Sequence, residues 1–255
     1  MDKSTIIGVI GAGTMGNGIA QVAAQAGHSV VLLDARKEAV EKAMGGLSKT
    51  MDKLVEKGKL TADAAKALLG RITPAHDLKQ LAGCGLVIEA VIEDLGIKKK
   101  LFADLEALVA ADAVLATNTS SLSVTAIAAA CKKPERMIGL HFFNPAPLLP
   151  LVEVVPGLAS DAELAARSAQ LMALWNKTPV ICKDTPGFIV NRVARPFYGE
   201  SIRIFEEGLA DMVTIDHAMK TIGGFKMGPF ELMDLIGNDI NFTVTKTVWE
   251  SFFYD

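Results

Sequence analysis

Cysteine is scarce in this chain of 255 residues, which contains only three. Cys84, Cys131 and Cys182 are odd in number and widely spaced, and no two of them form a CxxC pair. This spacing excludes a disulfide framework and a structural zinc site. We therefore expect reduced thiols in the protein core and no metal.

Long apolar runs and an excess of one charge are also missing. No segment approaches the ~20 apolar residues that cross a bilayer, and the first residues lack the features of a signal or transit peptide. A formal net charge of −3 gives no general attraction to nucleic acid or to an anionic membrane. We expect a cytoplasmic protein that binds small molecules.

The first thirty-four residues carry the strongest motif. An apolar run at Ile6–Ile10 leads directly into Gly11, Gly13 and Gly16, and a helical pattern follows. In such a turn the first glycine allows the tight bend, the second admits a pyrophosphate and the third lets the helix pack on the strand. The N-terminus of the helix faces the phosphates. The motif predicts a dinucleotide-binding Rossmann unit.

Asp34 indicates which dinucleotide is bound. It ends a second strand predicted at Ser29–Leu33, 23 residues after Gly11, near the ~20-residue offset at which a carboxylate reaches the ribose hydroxyls. Because a carboxylate repels a 2′-phosphate, we expect NAD rather than NADP. Flavin enzymes share the glycine pattern, so the nicotinamide has to be argued from the rest of the chain.

Helix and strand patterns alternate through the first 184 residues. Residues 36–69 predict a helical hairpin, interrupted at Gly58, that inserts into the Rossmann plan with a lysine-rich face. Further helices are expected near 95–109, 121–130 and 161–175. Further strands are predicted at Leu86–Glu89, Ala113–Thr117, Met137–Leu140, Leu151–Val155 and Val180–Cys182. The alternation indicates an α/β fold with a doubly wound, largely parallel sheet.

Strand patterns stop at Thr185, and glycine-punctuated helical segments follow to the end. We expect an NAD-binding domain over 1–184 and an all-helical domain over 185–255. The cleft between two such domains is the default substrate site.

One histidine and one acid lie in apolar surroundings and point to chemistry. His141 ends an apolar strand, and Glu153 lies inside LVEVV. A buried carboxylate needs a cation or strong donors. A Glu–His pair would orient the imidazole and leave its other nitrogen to act as a base on a substrate hydroxyl. A packed core histidine is the alternative.

Two polar clusters accompany these residues. TNTSS at 117–121 follows a strand at the sheet edge where ligands bind, although Asn118, Ser120 or Ser121 could equally cap the next helix. DTPGFIVNR at 184–192 predicts a helix capped by Asp184 or Thr185, with Asn191 one to two turns into it.

Seven motifs, which together extend over essentially the whole chain, follow one another in a fixed order. They are GAGTMG, VIEA-IED-K, NTSS, HFFNPAP, LVEVV, TPGFIVNR and GPFELMD. The chain resembles the L-3-hydroxyacyl-CoA dehydrogenase family. The resemblance implies that His141 is the catalytic base and Glu153 its orienting carboxylate. It places Ser120 and Asn191 near the 3-oxygen of the substrate and Asn144 beside the base, at the cofactor.

The same resemblance implies cofactor and substrate contacts. Asp34, Glu93, Lys98 and Asn118 match NAD-contacting positions, and Ser120 borders the nicotinamide. Lys53, on the lysine-rich hairpin, would help to hold the CoA moiety. The chain departs from the family where Leu149-Pro150 replaces Met-Lys and where it ends on WESFFYD, so we expect a fragment that pairs as a homodimer through the helical domain.

The expected activity is the reversible, NAD-dependent oxidation of L-3-hydroxyacyl-CoA to 3-ketoacyl-CoA in fatty acid metabolism. The chain resembles bacterial enzymes of phenylacetate catabolism that use 3-hydroxyadipyl-CoA, on the segments NPAP, VARPFY and LIGNDINF. The candidate partners of the far carboxylate of such a substrate are Arg192, Arg195 and Arg203. The alternatives are a β-hydroxyacid dehydrogenase, disfavoured because no lysine accompanies Asn191, and an inactive NAD-binding, crystallin-like protein.

Overall fold

The computed structural model describes residues 2–252, and the chain divides into two compact units, Met1–Asp184 and Thr185–Asp255. Phe253 and Tyr254, part of the aromatic ending noted above, lie outside the described residues. Among residues 2–252, no helix combines the length and the apolarity needed to cross a membrane.

The first unit is built on a sheet of eight described strands in the order β3-β2-β1-β4-β5-β6-β7-β8. The strands are β1 (Ile7–Ile10), β2 (Val30–Leu33), β3 (Ile72–Ala75), β4 (Leu86–Glu89), β5 (Val114–Thr117), β6 (Met137–Phe142), β7 (Leu151–Pro156) and β8 (Thr178–Ile181). Only the β6–β7 pair is antiparallel among these. The α/β, doubly wound prediction is therefore confirmed.

Helices cover both faces of this sheet, because neighbouring strand residues point to opposite sides. The helices are α1 (Thr14–Gln25), α2 (Lys37–Glu56), α3 (Ala62–Leu69), α4 (Leu95–Glu106), α5 (Val124–Ala128) and α6 (Leu164–Leu174). One buried cluster joins Ile7 and Val9 to α1, α2, α3 and α6. A second cluster joins Ile10 and Val87 to Phe102 of α4 and Ile127 of α5.

The second unit is helical throughout its described part. It contains α7 (Val190–Glu206), α8 (Met212–Thr221), α9 (Pro229–Ile236) and α10 (Asn238–Ser251). Asp216 on α8 accepts hydrogen bonds from the first backbone N–H groups of α9, at Phe230 and Glu231. The prediction of a helical domain after the Rossmann domain is confirmed.

Several local predictions were wrong. The α7 helix begins at Val190, so neither Asp184 nor Thr185 caps it, and Asn191 lies in its first turn. Strand β6 continues through Phe142, which puts His141 inside the strand rather than at its end. The sequence reading also missed β3, an edge strand that contains Pro74. Edge positions tolerate proline because one side of the strand needs no ladder hydrogen bond.

The start of α5 also differs from the prediction. Its N-cap is Ser123, not Asn118, Ser120 or Ser121. The carboxylate of Asp184 accepts from the Ser123 hydroxyl at 2.8 Å and from the backbone N–H of Thr125 at 2.7 Å. A residue distant in sequence therefore completes the cap, which leaves the 118–121 segment outside the helix.

Candidate active site

The glycine turn after β1 has no room for side chains at two positions. Gly11 has φ of +100°, and a Cβ there would lie 2.4 Å from the carbonyl oxygen of Ala90. A Cβ on Gly16 would lie 1.7 Å from the carbonyl oxygen of Gly11. Gly13 differs, because an added Cβ would meet nothing within 4 Å. The space above Gly13, at the N-terminus of α1, fits a pyrophosphate.

Asp34 lies beside this turn, directly after β2. Its Oδ2 accepts a hydrogen bond from the backbone N–H of Ala12 at 2.8 Å, and its Oδ1 accepts from the N–H of Arg36 at 2.9 Å. These bonds fix a carboxylate next to the glycine turn. The Arg36 side chain itself is 81% exposed.

Three charged side chains form a network at the ends of β4 and β5. The Lys98 ammonium lies 2.5 Å from Oε1 of Glu89 and 3.3 Å from Oε2 of Glu93. Glu89 and Lys98 are buried, whereas the Glu93 side chain is one-third exposed. Oε2 of Glu89 also accepts from the Thr117 hydroxyl at 2.7 Å. Glu89 and Thr117 lie within motifs quoted above, but sequence reasoning assigned neither a role, although an acid that ends an apolar strand was a usable signal.

Glu93 holds the loop that follows β5. Its Oε1 accepts from the Thr119 hydroxyl at 2.6 Å and from the backbone N–H groups of Ser120 and Ser121 at 2.9 and 3.1 Å. Burial raises the pKa of Glu93, but the Lys98 ammonium and these hydrogen bonds outweigh it and bring the pKa below its usual range. Glu93 is therefore a carboxylate at neutral pH.

Asn118 ties the same loop to β6. Its side-chain oxygen accepts from the backbone N–H of Phe142 at 2.8 Å. Since His141 is the residue before Phe142, the loop with Ser120 is anchored on one side to the histidine strand and on the other to Glu93.

His141 and Glu153 face each other across the antiparallel β6–β7 pair, where they are register partners. The His141 Nδ1 lies 2.7 Å from Oε2 of Glu153, and the side chains are 6% and 1% exposed. With Glu153 ionised, Nδ1 carries the hydrogen and donates it, which makes Nε2 the basic nitrogen. The Phe143 ring packs against the imidazole, 4.4 Å between centroids. The pair can accept a proton away from bulk water.

The remaining predicted site residues are Asn144, Asn191 and Lys53. Asn144 follows β6 and is exposed. Asn191 belongs to the second unit. Lys53 is exposed on α2 and lines a groove of about 520 Å³, together with Asn17, Gln21, Thr50, Lys57 and Pro147.

The three candidate arginines all have partners in the described part of the second unit. Arg195 Nη1 donates to the carbonyl and side-chain oxygens of Asn241 and to the Thr245 hydroxyl. The Arg192 guanidinium lies over the Phe252 ring, and Arg203 pairs with Glu200. Arg195 therefore links α7 to α10, which is a structural explanation for its position.

A doubly wound sheet, a Gly-x-Gly-x-x-Gly turn at a helix start and an acid after the second strand define a dinucleotide-binding Rossmann protein. In the buried His141–Glu153 pair a carboxylate orients an imidazole, an arrangement that can act as a general base. The chain belongs to the 3-hydroxyacyl-CoA dehydrogenase family: the family's NAD binding domain matches residues 6–185, and its C-terminal domain matches residues 187–255. The resemblance inferred from the motifs is confirmed.

Relatives of known name are similar along nearly the whole chain. It is 51% identical to 3-hydroxyadipyl-CoA dehydrogenase of Escherichia coli over 98% of this chain and 52% of that protein. It is 40% identical to 3-hydroxybutyryl-CoA dehydrogenase of Clostridioides difficile, over 96% of this chain and 88% of the other.

Solved structures agree with these matches. A crystal structure described as Escherichia coli 3-hydroxybutyryl-CoA dehydrogenase superposes with a TM-score of 0.97 at 50% identity, over 100% of this chain and 54% of the other. The (S)-3-hydroxybutyryl-CoA dehydrogenase of Ralstonia eutropha gives 0.94 at 36% identity, over 98% and 88%. The chain thus spans about half the length of the Escherichia coli protein and of the Escherichia coli crystal structure that it matches.

Proposed function

We propose that this chain catalyses the reversible, NAD-dependent oxidation of an L-3-hydroxyacyl-CoA to the 3-ketoacyl-CoA. The observation that carries the proposal is the buried His141–Glu153 pair, with 2.7 Å between Nδ1 and Oε2, in a chain whose first unit belongs to an NAD binding domain family. Family membership supports the substrate class.

In the proposed mechanism, His141 removes the proton of the 3-hydroxyl through Nε2. Glu153 keeps the ring in the required tautomer and stabilises the imidazolium that forms. Bound NAD would supply the acceptor for the hydride from C3, so that the C–H and O–H bonds break while the C=O bond forms. In the reverse direction His141 returns the proton to the oxygen. Ser120 and Asn191 are proposed to hydrogen-bond that oxygen.

The residues of the first unit fit NAD. Gly11, Gly13 and Gly16 form a turn whose open space lies at Gly13, and Asp34 offers a carboxylate beside it to bind the ribose hydroxyls. Further contacts are proposed for Glu93, Lys98, Asn118, Ser120 and Asn144.

For the CoA moiety we propose the groove along α2. Its lining includes the exposed residues Thr50, Lys53 and Lys57. Cations beside an open groove suit the phosphates of CoA. Lys53→Ala should raise the KM for acyl-CoA several-fold and leave the affinity for NADH unchanged.

The direct test is oxidation of NADH by the purified chain with acetoacetyl-CoA, followed by absorbance. Turnover that disappears in His141→Ala, with NADH still bound, would support the proposal. NADH binding without turnover in the parent chain would support the inactive, crystallin-like alternative instead. Activity on free 3-hydroxy acids but not on their CoA esters would support a β-hydroxyacid dehydrogenase.

The acyl chain is proposed to be that of 3-hydroxyadipyl-CoA, the substrate in the name of the Escherichia coli relative. This would connect the chain to phenylacetate catabolism. A higher kcat/KM for 3-hydroxyadipyl-CoA than for 3-hydroxybutyryl-CoA is expected, and an equal or reversed ratio would contradict it. Arg195 is not proposed as the partner of the far carboxylate, because its guanidinium hydrogen-bonds to Asn241 and Thr245 of α10.

We further propose a homodimer formed through the second unit. Large apolar side chains there are more than two-thirds exposed: Leu209, Val213, Ile222, Leu235 and Phe242. A contiguous apolar surface formed by such side chains would mark an interaction site. Sedimentation should give a dimer that Val213→Glu weakens, and a monomeric parent would contradict the proposal. A cytoplasmic location stays a prediction.

A further inference from the structure

Glu89 is a charged residue that the mechanism above does not use. It ends β4 and is completely buried. Its carboxylate accepts from the Val91 backbone N–H at 2.7 Å, from Lys98 Nζ at 2.5 Å and from the Thr117 hydroxyl at 2.7 Å. The loop after β4, the end of β5 and helix α4 therefore each contribute a contact to this one side chain.

The cost of such burial makes a purely stabilising role a weak explanation. Removing a carboxylate and an ammonium from water is expensive, and apolar side chains of similar volume often stabilise a core equally well. What apolar residues could not supply is a fixed ammonium. The Lys98 ammonium contacts Glu89 in the core and also lies 3.3 Å from Oε2 of Glu93 at the loop.

Glu93 in turn is the acceptor for the backbone at Ser120 and Ser121. The Thr117 hydroxyl connects Glu89 to the loop, because it donates a hydrogen bond to Glu89 and accepts one from the backbone N–H of Thr119 at 3.2 Å. The loop with Ser120 is thus held by Thr117 and by Glu93. Glu89 contacts Thr117 directly and is connected to Glu93 through Lys98.

We propose that Glu89 is a positioning residue for the cofactor site, acting through Lys98 and Thr117 to hold Glu93 and Ser120 in place for NAD(H). The inference rests on the proposed function. It predicts that weakening the Glu89 contacts raises the KM for NADH more than it lowers kcat. NAD contacts are proposed for Glu93, Lys98 and Ser120, whereas only Ser120 of these three is also proposed to contact the reacting oxygen.

The test compares matched substitutions in the full chain. Glu89→Gln removes the charge and keeps the volume. Glu106→Gln is the control, because Glu106 is also largely buried, accepts two backbone N–H groups and pairs with Arg136, away from the cofactor loop. Thr117→Val removes the hydroxyl at equal size, whereas Thr117→Ser keeps it. The measurements are melting temperature, NADH dissociation constant and steady-state kinetics with acetoacetyl-CoA.

We expect Glu89→Gln to raise the NADH dissociation constant and KM about 10-fold, with kcat within about 3-fold. Thr117→Val should raise both about 3-fold or more, and Thr117→Ser should restore them. Glu106→Gln should lower the melting temperature only. If Glu89→Gln fails to fold, the two Thr117 variants decide the question.

If the parent binds NADH, an unchanged NADH dissociation constant and KM in Glu89→Gln or Thr117→Val would overturn this inference and leave the proposed function unaffected. The same holds if Thr117→Ser is as impaired as Thr117→Val. A parent chain that binds no NADH would overturn the proposed function and this inference with it.

Discussion

Replacing Glu153 by glutamine tests the core of the proposed mechanism. The substitution keeps the shape of the side chain but removes the charge that faces His141 at 2.7 Å. Both side chains are shielded from water, at 6% and 1% exposure. Little solvent is therefore present to replace the lost stabilisation when His141 becomes an imidazolium during the reaction.

The size of the effect follows from the hydrogen bond that is lost. A hydrogen bond to a charged group contributes about 1.5–3 kcal/mol. Since about 1.4 kcal/mol corresponds to a factor of ten in rate, kcat should fall roughly 10- to 150-fold. His141→Ala, which removes the base itself, should cost about 10²- to 10⁴-fold.

The assay is NADH oxidation with acetoacetyl-CoA, with NADH affinity and melting temperature measured for each variant. Glu135→Gln, the same change at an exposed position near the start of β6, is the control and should behave as the parent. Because Glu153 acts through His141, the double variant should be no slower than His141→Ala alone. A kcat within twofold of the parent in Glu153→Gln, or fully additive losses in the double variant, would refute the reasoning.

Four further outcomes are expected. Gly16→Ala should abolish stable folding, because the added Cβ would lie 1.7 Å from the carbonyl oxygen of Gly11. Gly13→Ala, whose Cβ would meet nothing within 4 Å, should melt like the parent and lose NADH affinity. Calorimetry and NADH titration distinguish the two variants. The parent should bind NADH more tightly than NADPH, and Asp34→Ala should reduce this difference in affinity by weakening NADH binding. Equal use of both cofactors by the parent would contradict this prediction. The pKa of Glu93 is lowered in the folded state, so the ionised side chain should add to the free energy of unfolding relative to Glu93→Gln. This contribution should be complete above about pH 5 and lost as the pH falls through the lowered pKa, and urea unfolding at several pH values measures it. Burial raises the pKa of the Cys84 thiol to about 11, so alkylation of the folded protein at pH 7 should be slow there and fast after unfolding.

Local patterns were sufficient for much of the first unit. The glycine turn, the apolar runs of β1 and β4, and the helix breaks at Gly58 and after Asp34 depend on steric rules that act within a few residues. Such rules predict a doubly wound sheet with helices. They fail where a partner comes from far along the chain: Asp184 caps α5 from 60 residues away, which no local pattern around Ser123 reveals.

The sequence by itself determined the Rossmann class, the family and the residue types available for chemistry, because these are written in contiguous motifs. Only the tertiary structure decided which polar groups meet. The antiparallel register of β6 and β7 places His141 opposite Glu153, and a shift of one residue would turn the two side chains to opposite faces of the sheet. The parallel register that sets Glu89 beside Thr117 likewise brings Lys98 and Glu93 into one network, because buried charges are tolerated only where the fold supplies their partners.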